Sequence, residues 1–248
     1  MEDGRSIHIG TSGWHYQHWR GIIYPSEHPA KDWLDFYNHQ FRTVEINNSF
    51  YQLPSENTLR AWYAGVPGGF TFAVKASRFI THMKKLTDPR GSSTLFFERV
   101  ALLGEKLGPI LFQLPPRWRP NPDRLDAFLA EMPAGYRFAF EFRDPSWLIE
   151  PVFAVLEKWN AALCIYNFNR LTSPVRLTAS FVYLRLHGPG GPYQGKYTPE
   201  EIAAWAGEIA GWVGQGKEIY CYFDNDTAGF APQNARELLI EVQRKTMN

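Results

Sequence analysis

Glu45 and Glu141 each interrupt a short apolar run near its C-terminal end, in Val44-Glu45-Ile46-Asn47 and Phe140-Glu141-Phe142-Arg143. Lys75 closes a third run, Phe72-Ala73-Val74-Lys75, and Arg185 and His187 take alternate positions in a fourth, Tyr183-Leu184-Arg185-Leu186-His187. In an extended strand alternate side chains share a face, so these polar groups all project away from the apolar face of their own strand. Cations beside a carboxylate lower its pKa and burial raises it, so two glutamates in unequal surroundings can divide into an acid and a base. Glu45, Glu141, Lys75 and His187 are therefore the candidate catalytic residues. Asn47, Gln113, Arg143, Arg185, Asn225 and Asp226, also at run ends, are candidates for holding a substrate. A competing reading is an ion-pair network, because a charge removed from water is costly unless paired. Arg143 and Arg185 suit orienting Glu141 or Glu45 as well as touching a ligand.

Aromatic residues make up 16% of the chain, with nine Trp, and several fall between the apolar runs. Trp14, within Trp14-His15-Tyr16, and Tyr51 are candidate substrate contacts, since aromatic faces stack on sugar rings and nucleobases. For any one of them packing is the commoner role.

Gly190, Gly191 and Lys196 form a candidate phosphate site: exposed amides and a lysine precede a helix start at Thr198-Pro199. Glu200 and Glu201 at that start oppose an anion. The stretch 190–196 also nearly matches a P-loop, but Tyr197 stands where a magnesium-binding Ser or Thr is required, which excludes a P-loop NTPase. The segment 76–93 is read as a long basic loop, with Arg78, His82, Lys84, Lys85 and Arg90. No metal motif is present. Glu45, Glu141, His187 and Asp224 have the ligand types for a divalent ion, but no metal is assigned.

Eight runs have strand character: 7–12, 43–47, 70–75, 110–114, 137–142, 162–166, 181–187 and 218–223. Helical periodicity alternates with them, as in Leu59, Trp62 and Val66, or Phe96, Val100, Leu103 and Leu107. Asn121-Pro122 and Thr198-Pro199 mark helix starts, and Glu201 completes a capping box with Thr198. Strand and helix in alternation predict a parallel α/β sheet, here one (β/α)₈ TIM-like barrel over residues 1–248. A doubly wound open sheet is the rival. The sixth crossover, 167–180, contains Pro174 and no apolar face, so it is expected to be irregular. In such a barrel the polar strand ends converge on the C-terminal mouth.

Composition narrows the classes further. With 26 basic and 25 acidic residues, the net charge of +1 provides no global field for nucleic acid or an anionic membrane. The absence of a signal-like start and of a long apolar run predicts a cytoplasmic protein without a membrane partner. Cys164 and Cys221 lie inside apolar runs, as reduced core thiols do.

The sequence resembles the domain of unknown function 72, or YecE-like, family. The resemblance rests on Gly10-Thr11-Ser12-Gly13-Trp14 with Trp19-Arg20-Gly21, Val44-Glu45-Ile46-Asn47-Asn48-Ser49-Phe50-Tyr51, and Lys75 with Ile80-Thr81-His82. It continues through Gln113-Leu114-Pro115-Pro116, Glu141-Phe142-Arg143 with Ser146-Trp147, Tyr183-Leu184-Arg185-Leu186-His187-Gly188, and Asn225-Asp226 with Gly229. It implies a barrel fold and no established activity. Asp224 stands where the family usually has Asn, and Asp144 where His is common.

The expectation is a small-molecule enzyme using acid/base chemistry on a sugar-like or phosphorylated substrate at the mouth. A metal-dependent phosphodiesterase or nuclease-like barrel, with the basic loop on a nucleic-acid backbone, is the second reading; a non-catalytic metabolite-binding module is the third. Cofactor and oligomeric state are left open.

Overall fold

A computed structural model of the chain describes residues 7–168 and 171–247. Its strands are β1 (Ile7–Thr11), β2 (Thr43–Ile46), β3 (Thr71–Lys75), β4 (Leu107–Leu114), β5 (Phe138–Phe142), β6 (Ala162–Phe168), a two-residue β7 (Leu171–Thr172), β8 (Phe181–Leu186) and β9 (Glu218–Phe223). Leaving β7 aside, neighbours pair in parallel from β2 through β3, β4, β5, β6, β8 and β9 to β1. The ring closes between β1 and β2 at a single bridge, Ser12 with Glu45, where the Gly13 amide donates to the Glu45 carbonyl at 2.8 Å. The fold is thus a (β/α)₈-type barrel, and the open-sheet alternative is excluded by that closure. Gly10 makes the seam sterically feasible: a Cβ there would lie 2.4 Å from the Thr43 carbonyl oxygen.

The helices are α1 (Trp33–Asn38), α2 (Glu56–Ala64), α3 (Pro89–Val100), α4 (Pro122–Ala130), α5 (Glu150–Lys158), α6 (Pro199–Gly214) and α7 (Phe230–Thr246). Their starts follow local chemistry. The Asn121 side chain accepts from the Arg124 amide at 2.9 Å, and Thr198 and Glu201 form a reciprocal capping box. Between β6 and β8 there is no helix among the described residues; β7 folds back antiparallel on β6 instead. Residues 169 and 170 of that crossover lie outside the described set.

Two expectations about boundaries need correction. Leu107 does not continue the face of α3 but opens β4, because Gly104 (φ 50°, ψ −132°) breaks the helical path. The basic segment 76–93 is only partly loop: a π-helical turn spans Phe79–Met83, and α3 begins at Pro89.

Strand parity separates two buried layers. Val44, Ile46, Phe72, Val74, Phe112, Phe140 and Phe142 pack outward with the helices. Inside the barrel, Ala73 of β3 and Ala139 of β5 leave room for Tyr166, Tyr183 and Tyr222 of β6, β8 and β9, the small-against-large pattern that fills a tapering interior. Beyond these tyrosines, toward the C-terminal end, the inward positions become charged. Among the described residues no helix is long and apolar enough to cross a membrane.

Candidate functional site

Arg185, fully buried on β8, is the centre of the mouth. Its Nη1 donates to Glu141 Oε2 at 2.8 Å, and Nη2 to Glu45 Oε1 at 2.8 Å and Asp224 Oδ2 at 2.9 Å. Nε reaches both Glu45 oxygens at 3.1 Å. One planar guanidinium thus ties three carboxylates from β2, β5 and the end of β9, a geometry that five fixed donors permit and a lysine would not. Glu45 also accepts from Ser12 Oγ at 2.5 Å and Tyr183 Oη at 2.7 Å. Glu141 accepts from Arg143 Nε as well. Burial pushes the Glu141 carboxyl up, but Arg143 and Arg185 outweigh it and hold it well below the usual range; the same contest, with Arg185 and His187 on the lowering side, holds Asp224 down.

His187 is buried behind this cluster. Its Nε2 faces Arg143 Nη2 at 3.3 Å and Arg185 Nη1 at 3.4 Å. Guanidinium groups only donate, so Nε2 is the acceptor in both contacts, while Nδ1 lies 3.0 Å from Asp224 Oδ2 but is poorly aligned for a hydrogen bond. Phe168 and Tyr193 close over the imidazole edge to face, with centroids 5.2 and 5.7 Å away.

Lys75 differs from its neighbours. It is 6% exposed, its Nζ lies 4.3 Å from the centre of the Phe50 ring, and among the described residues no carboxylate oxygen comes within 4.0 Å of it. Burial first, then the Arg185 charge, lower its pKa to about 8, against weaker opposition from Glu141, Glu45 and Asp224. His82, in the π-helical turn, is half-buried beside Lys75, Arg78 and Arg143, and burial and these charges lower its pKa. One side of the mouth therefore gathers Lys75, His82 and Arg143, of which Arg143 is paired with Glu141.

A cavity of about 930 Å³ lies between the loop after β1, the α1 region, the loop after β2 and α2, and none of Glu45, Lys75, Glu141, Arg185 and His187 lines it. Trp14, Asn47 and Tyr51, all expected to contact substrate, line it together, with Trp62. Trp14 stands edge-on to Trp62 at 5.0 Å, Tyr51 is 72% exposed, and the buried Asn47 Oδ1 has no protein partner.

The remaining expected residues scatter. Gln113 is half-buried beside Glu141 in the β4–β5 register, and its side chain makes no hydrogen bond among the described residues. Asn225 turns the other way: its Nδ2 donates to the Gly195 carbonyl at 2.8 Å and to Asn234 at 3.1 Å, fastening the loop after β8 to α7. Asp226 lies 3.2 Å from His18, and burial and the nearby Asp224 charge raise its pKa. The phosphate set does not assemble, since Gly190 and Gly191 line a second cavity, of about 540 Å³, whereas Lys196 pairs with Glu237 of α7 at 2.8 Å. The Gly190 amide is spent on the Gln194 carbonyl, and Glu201 occupies the α6 start.

Three participants escaped the reading of the sequence. Ser12 obeys the parity of His8 and Gly10 and could have been found by it. Asn167, whose Oδ1 accepts from the His187 amide and Tyr197 Oη, and Phe168 lie beyond the expected end of the sixth strand, which runs two residues further. Asp144 only caps a turn, accepting from the Ser146 amide at 3.0 Å. Arg185 stands at the centre of the ligand set proposed for a divalent ion, its donors on Glu45, Glu141 and Asp224, and the described residues contain no group of three or more His, Cys, Asp or Glu arranged to hold a metal.

The sequence pattern of the family described as "Protein of unknown function DUF72" matches residues 8–248. The chain belongs to this family. A relative, the UPF0759 protein YunF of Bacillus subtilis strain 168, is 26% identical over 94% of this chain and 93% of its own length. The crystal structure of a DUF72 protein from Thermotoga maritima MSB8 superposes with a TM-score of 0.86 at 26% identity, over 96% of this chain and 99% of that one. One from Enterococcus faecalis V583 gives 0.80 at 19% identity, over 96% and 95%, a likeness of fold alone. Membership in DUF72 brings the barrel and no reaction, so the chemistry has to come from the mouth.

Proposed function

We propose that the mouth is the active site of a small-molecule enzyme that uses acid/base chemistry on an anionic substrate, sugar-like or phosphorylated. The observation that carries this reading is Lys75, a buried cation at a strand end without a close carboxylate, in a cluster where the other buried cation, Arg185, has three. With a pKa near 8 it can give up and regain a proton close to neutral pH. An anionic group of the substrate would supply its missing partner, with His82 and Arg143 on the same side. Trp14, Tyr51 and Asn47 would hold the body of a substrate that reaches from the mouth past Phe50 into the cavity between α1 and α2. Glu45 and Glu141 act in this scheme mainly by positioning Arg185 and Arg143, and Asp224 by orienting His187.

The nucleic-acid reading draws less support from the basic segment, whose charges are partly spent: Lys84 lies 3.9 Å from Asp88, and Arg90 pairs with Glu131. The test is calorimetry on a panel of sugar phosphates and sugar acids with the wild type, Lys75→Met and Tyr51→Ala. The expected result is a ligand whose affinity falls at least about tenfold in both variants, equivalent to about 1.4 kcal/mol. Absence of binding across the panel, or binding indifferent to both substitutions, would refute the proposal.

A further inference from the structure

We infer that Lys75 is a nucleophile, and that the mouth takes a carbonyl compound bearing an anionic group and joins it to Lys75 Nζ as an imine. This rests on the small-molecule reading above and specifies its chemistry. The geometry is that of an amine kept from its usual partners. Lys75 ends β3 with its carbonyl pinned by Ser49 Oγ at 2.6 Å, its Nζ over the Phe50 ring, and no carboxylate within 4.0 Å among the described residues. An ion-paired lysine is held protonated and is not nucleophilic. One buried away from carboxylates and beside a second cation is more readily deprotonated, the arrangement that activates amines for attack on carbonyls, and here it works against the attraction of the Phe50 face for the ammonium. Arg185 supplies that cation, while Arg143 and His82 remain on the same side to meet an anionic group.

The step balances without an oxidant. Nζ, having released its proton to solvent, attacks the carbonyl carbon and forms a C–N bond. The bond from that carbon to its oxygen then breaks and the oxygen leaves as water with two protons, one from Nζ and one returned by solvent, and the product is a protonated imine. Its positive charge lies within the field of Glu45, Glu141 and Asp224, which already acts on the lysine ammonium. An iminium withdraws electrons from the adjacent carbon, so the reaction classes opened are proton removal, carbon–carbon cleavage and decarboxylation at that position.

The test uses the full chain with pyruvate, dihydroxyacetone phosphate and glyceraldehyde 3-phosphate as probes, each with sodium cyanoborohydride, read by intact mass and peptide mapping. At neutral pH an amine titrating near 8 has roughly 300-fold more of its unprotonated form than an ordinary lysine. The expected result is therefore one reduced adduct per chain, mapped to Lys75 and in large excess over every other lysine, lost in Lys75→Arg. Because mapping is done on the wild type, the outcome does not depend on a variant folding. Saturable calorimetric binding of a probe without an adduct at Lys75, or adducts spread evenly over surface lysines, overturns the imine while leaving the small-molecule reading intact. Failure of every probe to bind, with a sugar phosphate binding in the earlier panel, overturns the carbonyl assignment alone. Failure of both panels overturns both.

Discussion

Replacing Arg185 by Met separates an electrostatic mouth from one held by packing. The guanidinium is fully buried and donates to Glu45, Glu141, Asp224 and, at 3.2 Å, Ser12 Oγ. Methionine roughly fills the stem but leaves three buried carboxylates without their shared cation. Breaking one buried pair in this way costs about 3–5 kcal/mol, and the Arg143 contact to Glu141 keeps the loss toward the lower end of what three pairs would give. For a chain of this size, that corresponds to a fall of about 10 °C in Tm at pH 7. The pH dependence makes the test specific. In the wild type the pKa values of Glu141 and Asp224 lie below their unfolded values, so their stabilising contribution is full above the ordinary carboxylate range and is lost as pH falls through the folded values. Without Arg185 both pKa values rise, and the carboxylates can protonate instead of remaining unpaired. The penalty should therefore be largest near pH 7 and shrink toward pH 4. Thermal melts by circular dichroism at pH 7, 5.5 and 4 read this directly. A penalty of less than about 1 kcal/mol at pH 7, or one equal at all three pH values, would show that the guanidinium is not the electrostatic centre described.

Lys75→Met should behave in the opposite way, raising Tm at pH 7. Holding the ammonium at a pKa of about 8 rather than 10.5 costs about 3 kcal/mol while it is charged. That cost is full below pH 8 and relieved as pH rises toward the unfolded value, so the variant's advantage should disappear in melts near pH 10.5; a variant less stable than wild type at pH 7 counts against an unpartnered cation. Tyr51→Ala should change stability by no more than about 0.5 kcal/mol, because the ring is mostly exposed, while weakening any ligand that stacks in the cavity. A matched loss of fold and binding would remove Tyr51 from the site. Gly188→Ala should disrupt the loop after β8, since φ is 108° and the new Cβ would lie 2.1 Å from the Gln194 carbonyl oxygen. The expected readout is faster proteolysis within 188–196, and an unchanged cleavage rate would contradict the turn geometry.

The barrel was legible because its strands are short, apolar and separated by helices with marked starts, and parity then put Glu45, Glu141, Lys75, Arg185 and His187 on the inner face. What parity cannot supply is how far a strand continues or which way the residue after it turns. Asn167 and Phe168 were missed because the sixth strand extends past Tyr166, and Asn225 follows a strand end where alternation turns it toward α7 instead of the mouth. Lys196 was misleading for a different reason: its proximity to the glycines is in sequence, while Glu237, which takes it, is distant in sequence and near in space. The Trp14–Tyr51 cavity was visible only as aromatic residues in loops, because its walls come from four segments that alternation does not connect.

A purely structural network is the serious rival to an active site here, and the charges allow it a direct test. Glu45, Glu141 and Asp224 carry three negative charges, and Arg185 and Arg143 supply two positive ones at hydrogen-bonding distance, so the Lys75 ammonium would balance the sum. Balance over a distance is weak compensation for burying an ammonium; hydrogen bonds to the carboxylates are what offset desolvation. Arg185 has those bonds and Lys75 has none among the described residues, although both are buried at the same end of the barrel. If the network served only to close the barrel, a methionine at 75 would be the better residue, and selection for stability alone would favour it. A residue that costs stability where it stands, among the other cations of the mouth, is the pattern expected when function sets the choice. Measured together, a gain in Tm for Lys75→Met and a loss of ligand binding in the same variant would establish that trade-off. A gain in Tm with binding unchanged would leave the lysine without a role at this mouth.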